Sequence, residues 1–277
     1  PLDVFTGSAK AGQTFLYWHH DALFQAHVSY LKELDAWIPS PGYRGTTVDY
    51  ARKIRTGCLE CHVTYIDAKT SPNVYHRNSA VWGISCERCH GPGRDHVQYH
   101  QAHPNEKTSK YIVHPTDLPR QRQLDICGQC HSGSFSLIGE AYSFRPGDEL
   151  GKVHKPLNPD FEGVGSIHTS NQLTRLAMSK CFQESEMTCT TCHDPHENQR
   201  GDTALFTKSC LKCHQPEHCG MSDELGERIA DNCIACHMPI GDNEGMTLNV
   251  SQGTFTVTMI DHYIRVDEQA TAEQLAK

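Results

Sequence analysis

Polar and apolar positions alternate most clearly near the C-terminus. There TFTVTMI (254–260) alternates threonine with apolar residues up to Met259, which predicts a half-buried strand. Close to the N-terminus, FLYWHHDALFQAHVSYLKELDAWI is dense in aromatic and β-branched residues and leads into the turn stretch PSPGYRG (39–45). It predicts a small strand-rich or mixed lobe, since short apolar runs are ambiguous between strand and helix. The middle of the chain is broken by turn chemistry at HPTDLP, RPGDELG, HKPLNPD and FEGVGS. Short helices are expected between these breaks, over 86–103, 169–184, 204–215 and 221–236. The final DEQATAEQLAK (267–277) has good helix formers but no apolar face to bury, and is expected to fray. The fold class predicted is mainly α, with much irregular coil and a few short strands.

Cysteine spacing changes this picture. Cys-x-x-Cys-His occurs six times, at Cys58/Cys61/His62, Cys86/Cys89/His90, Cys127/Cys130/His131, Cys189/Cys192/His193, Cys210/Cys213/His214 and Cys233/Cys236/His237. Composition alone would give about 0.05 copies. The pattern is the c-type haem attachment signature, in which two thiols form thioethers to the macrocycle and the adjacent histidine takes one axial position on iron. Zinc knuckles draw four ligands from two Cys-x-x-Cys units and do not need a histidine at the same next position six times. A thioredoxin-like redox pair needs a single motif in a βαβ setting. Six covalent haem c groups are therefore expected, numbered here as sites 1 to 6 in chain order.

Six haems leave about 46 residues each, too few for separate domains of typical size, so they must share one core. The expected organisation is a haem-free N-terminal lobe (1–54), a hexahaem, haem-packed core (55–266) and a C-terminal tail (267–277). Hydrophobic residues make up 37%, which is low for a protein core and intelligible if macrocycles supply apolar interior. The formal net charge of −8 disfavours nucleic acid, whose binding depends on basic patches, and anionic membranes likewise. No run approaches the roughly 20 apolar residues of a membrane span. The sequence begins at Pro1 without an initiator methionine, as a cleaved secretory precursor would.

Nineteen histidines exceed the six proximal positions by enough to put a second imidazole on every iron. His196 follows His193 by three residues, too few to pass around a macrocycle to the opposite face of the same iron, so as a ligand it would serve a neighbouring haem. His96 follows CHGPG, where Gly91 and Gly93 allow a tight path. On a helix starting near Arg94 it would share a face with His100 and His103.

GISCERCHGPGRDHV (83–97), MTCTTCHDPHE (187–197), NCIACHMP (232–239) and VTMIDHYIRV (257–266) resemble recurring segments of the multihaem c-type cytochromes, the broad group sharing haem-packing motifs with hydroxylamine oxidoreductase and pentahaem nitrite reductase. The resemblance covers roughly residues 55–266. It implies that His96, His196 and His262 are distal ligands and that His168 is a fourth. For the two remaining distal positions, His20 and His27 are candidates, with His76 and His154 as alternatives. Cys181 and Cys219 are left over, and an even remainder in an exported protein suggests a disulfide.

Bis-histidine ligation leaves iron no open position. The expected function is therefore electron transfer along a chain of packed haems, with redox proteins as partners and a periplasmic or extracellular location, where such cytochromes are matured. Assembly into an extracellular filament is compatible with this reading and is not demanded by it. The alternative is an oxidoreductase acting on a small nitrogen or sulfur compound at one five-coordinate haem. The Cys-x-x-Cys-Lys motif of pentahaem nitrite reductase is absent. No catalytic residue is assigned.

Overall fold

The computed structural model describes residues 2–7, 12–43, 48–69, 71, 73–157, 166–250 and 253–277, without the side chains of 244, 245 and 249. FEGVGS, apart from its last residue, the end of HKPLNPD and part of PSPGYRG lie outside the described residues. Contacts divide the chain into two units, one of 1–130, 135–157 and 246–257, the other of 131–134, 158–245 and 258–277.

The first unit opens with an antiparallel sheet of four strands in sequential order, β1 (Val4–Thr6), β2 (Gly12–His19), β3 (Ala22–Leu31) and β4 (Ala36–Pro39). The aromatic N-terminal run is thus strand, as its β-branched and aromatic content favours. His19 pairs with Ala22, which leaves His20 and Asp21 as a two-residue hairpin turn. His20 takes the left-handed φ of +52° that such tight turns require. Along β3, Leu23, Gln25, His27, Ser29 and Leu31 are all buried at a spacing of two. The polar members bond locally: Ser29 Oγ lies 2.7 Å from Ser40 Oγ, and Gln25 Nε2 donates to the Pro41 carbonyl at 3.3 Å.

The unit continues through α1 (Thr56–Leu59), β5 (Val63–Tyr65), β6 (Val81–Trp82), α2 (Glu87–His90), α3 (Arg94–Ala102), α4 (Arg120–His131), β7 (Phe135–Leu137) and β8 (His154–Pro156). Its core joins Leu16 and Leu23 of the sheet to Ile54, Leu59, Val63, Ile66, Tyr75 and Tyr142. Tyr75 is fully buried and donates its hydroxyl to the Ile54 carbonyl at 2.8 Å. Leu59 is a middle residue of the first attachment motif, so that motif is rooted in the core rather than laid on the surface. A second cluster packs Leu31 and Ile38 against Leu248, Phe255 and Val257.

The second unit holds α5 (Gln172–Leu176), α6 (Lys180–Gln183), α7 (Thr203–Cys210), α8 (Ser222–Leu225), α9 (Cys233–His237) and α10 (Glu268–Leu275). The hairpin of β9 (Ile240–Val250) and β10 (Gly253–Ile260) precedes α10. Side chains cap these helices: Asp202 accepts from Leu205 N–H at 2.9 Å, Asn232 from Ala235 N–H at 3.1 Å and Asp267 from Ala270 N–H at 3.0 Å.

Three expectations need correction. Helices are shorter than expected: 86–103 is broken at Gly91–Gly93, and 169–184 and 221–236 are strings of single turns. The mainly α description therefore understates the strands, above all the four-stranded sheet and β9. The terminal stretch is not frayed, because Asp267 caps α10 and Ala270 is buried. No helix among the described residues is long and apolar enough to cross a membrane.

Candidate haem-attachment sites

Five of the six motifs sit on short α-helical segments and the fourth on a 3-10 turn at Cys189–Thr191. One helical turn puts cysteines three residues apart on the same face and the following histidine beside them. Local hydrogen bonds close that turn, with the N–H groups of His90, His193 and His214 reaching the carbonyls of Cys86, Cys189 and Cys210 at 2.9, 3.0 and 3.0 Å. All fourteen cysteines are free thiols, and each motif cysteine is exposed or half-buried. Cys181 and Cys219 are not bonded to each other, contrary to the expected disulfide. Cys181 feels the charge of Cys213, and Cys219 is felt by Cys233 and Cys236, so each belongs to the surroundings of an attachment motif.

Three of the motif imidazoles are oriented from behind. Nδ1 of His90, His131 and His237 donates to the carbonyls of Val113, Thr169 and Arg265 at 2.8, 2.7 and 2.9 Å. A proton held on Nδ1 puts the lone pair on Nε2, the usual arrangement behind a metal-bound histidine. His96 is set up the same way, donating Nδ1–H to the Lys110 carbonyl at 2.7 Å. Its helix neighbour His100 uses Nε2 to accept Lys110 N–H at 3.3 Å, which distinguishes two residues that helical spacing alone left equivalent. Cys86, His90, His96, Val97, Ile112 and His114 line one cleft of 720 Å³, within the size range of cofactor sites. His114 was not singled out in the sequence, where nothing distinguishes it from the other surplus histidines.

His193 and His262 face one another with ring centroids 6.1 Å apart and planes within 19° of parallel. Two imidazoles on opposite sides of one metal ion, each bonded at about 2.0 Å with about 1.1 Å from nitrogen to ring centre, stand about 6.2 Å apart. The centroid separation of His193 and His262 matches that distance. His262 is held by its predecessor. Asp261, fully buried, bonds Arg175 at 2.6 Å, Arg265 at 2.7 Å and the Tyr263 N–H at 3.0 Å. Burial alone would raise the Asp261 pKa, but the Arg175, Tyr263 and Arg265 bonds outweigh it and hold the carboxyl low. Burial, then the neighbouring His193 ring, depresses the His262 pKa.

The other histidines are placed less suggestively. His196 is exposed, with Nδ1 3.3 Å from Asp194. His168 Nδ1 accepts the Ser170 N–H at 3.1 Å, and His27 Nδ1 accepts that of Asp49 at 3.2 Å; both arrangements put the proton on Nε2. His27 is buried, His20 lies exposed at the hairpin turn, and His62, His76 and His214 are exposed.

A buried polar knot joins the first three motifs. Arg88 of site 2 reaches Glu60 of site 1, with Nη2 3.1 Å from Oε2 and 2.7 Å from the Glu60 carbonyl. Gln129 of site 3 donates Nε2–H to the Arg88 carbonyl at 3.3 Å, and its own carbonyl lies 3.7 Å from Cys61 Sγ. Glu60, Arg88 and Gln129 are 1%, 6% and 2% exposed. Tyr142 N–H bonds the other Glu60 oxygen, and the Arg88 guanidinium sits 5.4 Å over the Tyr142 ring. His154, stacked on Phe135 at 3.7 Å, lies 3.9 Å from Glu60 with neither ring nitrogen hydrogen-bonded. Burial and the Arg88 charge push its pKa down to about 4. The Arg88–Glu60 ion pair thus lies beside a His154 ring that is disfavoured from taking up a proton.

The attachment turns, the ring tautomers and the comparisons with known proteins define a multihaem c-type cytochrome that carries covalent haem c. The family described as cytochrome c554 and c-prime matches residues 25–91, which include sites 1 and 2. The multiheme cytochrome MtrA of Shewanella baltica is 25% identical over 75% of this chain and 75% of its own. The dissimilatory sulfite reductase MccA of Wolinella succinogenes is 22% identical over 84% of this chain, which spans only 37% of MccA. The outer cell wall cytochrome OcwA shares the fold, with a TM-score of 0.58 at 15% identity over 98% of this chain and 68% of that one.

Proposed function

We propose that the chain carries six covalent haem c groups, mostly bis-histidine, and transfers electrons along them between redox partner proteins outside the cytoplasm. The haems supply reversible one-electron chemistry. The protein's own residues hold the thioether edges, fix the ring tautomers and occupy the sixth positions, which keeps substrates off the iron. The observation that carries this reading is the His193/His262 pair, whose 6.1 Å separation suits two ligands on one iron. His96 is the next distal ligand on this reading, by the tautomer it shares with the proximal histidines. His168 and His196 remain candidates through the resemblance of their segments, and His20 through its exposure. His27 and His154 are buried, and they rank behind these candidates.

The similarity to a sulfite reductase favours one second reading, an oxidoreductase acting on a small sulfur or nitrogen compound at a haem lacking its distal histidine. Electron paramagnetic resonance of the oxidised protein, integrated against total haem with and without added cyanide or nitric oxide, separates the two. Six low-spin irons indifferent to ligand support the conduit; one high-spin iron that captures ligand supports the enzyme. Filament assembly would appear as larger species in light scattering at increasing concentration.

A further inference from the structure

Glu60, Arg88 and Gln129 occupy the same place in three different motifs, the residue immediately before the second cysteine. Sites 4, 5 and 6 have Thr191, Lys212 and Ala235 there, and none of these is buried. The residue before the second cysteine fixes where that thioether lies. Hydrogen bonds among three such residues therefore tie three attachment turns to one buried centre. The centre holds one cation and one anion, and fixed charges in so dry a place act strongly on a neighbour that gains or loses an electron. A guanidinium favours the reduced state nearby and a carboxylate the oxidised state.

We propose that Glu60 and Arg88 are positioning residues that also set the potentials of the haems at sites 1, 2 and 3, through opposed fixed charges held at the junction of their attachment turns. This rests on the reading that those sites carry haem c. Counting haems by the mass of the purified protein tests that reading separately, because a count below six there fails whatever the potentials do.

The test is a redox titration of the full-length holoprotein, followed by the absorbance of reduced haem. Glu60→Gln, which leaves the guanidinium unopposed, is expected to move about half of the titrating amplitude to higher potential. Arg88→Met, which leaves the carboxylate unopposed, is expected to move the same half to lower potential, whereas Arg88→Lys keeps the charge and leaves it in place. The double variant Glu60→Gln/Arg88→Met buries no net charge and is expected to displace the same half by less than either single variant. Shifts of one sign in both single variants, shifts spread over all six haems, or no shift in either would overturn the proposal. Should one single variant fail to accumulate as holoprotein, the other decides: a shift of the opposite sign to that expected, or none, would overturn the proposal.

Discussion

His262 stays opposite His193 because the residue before it is locked. Asp261 takes two arginines and a backbone N–H, and these bonds leave the following residue little freedom. Asp261→Asn would remove the carboxylate that Arg175 and Arg265 share, while Arg265 keeps Asp267 at 2.9 Å. Breaking a buried pair from one side costs about 3–5 kcal/mol, and partial exposure of both arginines argues for the lower end. Urea unfolding of the holoprotein reads that loss directly. On the proposed ligation, His262→Met should raise the potential of a single haem, that at Cys189/Cys192, because methionine ligation favours the reduced iron; optical redox titration would reveal one displaced component. The sequence pointed to His262 through the resemblance of its segment. It offered no sign of Glu60, Arg88 or Gln129, because an isolated Glu, Arg or Gln is ordinarily a solvated residue, and only folding brings these three together.

At the level of single elements, backbone permission matters more than side-chain pattern. Gly91 ends α2 at φ 79°, ψ −178°, a combination open almost only to glycine. A Cβ there meets nothing closer than 4.0 Å, so the penalty of Gly91→Ala is conformational, about 1–3 kcal/mol. It should show as reduced haem occupancy at Cys86/Cys89 by peptide mass mapping. At the other end of the chain, Asp267→Ala removes the cap of α10 and should cost about 1 kcal/mol, seen as faster hydrogen exchange over 268–275 with the rest unchanged. Period-two alternation made β10 legible, and aromatic and β-branched density made the N-terminal sheet so. Its partner β9, IGDNEGMTLNV, alternates only over MTLNV (246–250), so pairing rather than pattern makes its glycine-bearing first half a strand. Helix α4 was equally hidden: it buries Asp125, Gly128 and Gln129 beside Leu124 and Ile126, and an apolar count cannot find a helix that buries polar residues.

Across the whole molecule, the small clusters of buried apolar residues and the exposed Ile84 and Val97 near site 2 indicate a chain whose interior is completed by its cofactors. Chain produced without haem attachment should therefore lack the fixed near-ultraviolet circular dichroism of the holoprotein and be cut rapidly by protease, as metal-dependent domains are without their metal. The −8 charge belongs to this scale, and no helix among the described residues is long and apolar enough to cross a membrane. Close packing also brings thiols of different sites together. Cys61 is hydrogen-bonded to Cys130, a contact that, with burial, holds the Cys130 thiol protonated, and Cys233 is similarly bonded to Cys210. In an oxidising compartment such neighbours are partners for an unwanted cross-link. Maturation therefore has an order: the sulfurs must be capped while the polypeptide is still open, since a chain that compacts first would staple its own cofactor sites shut.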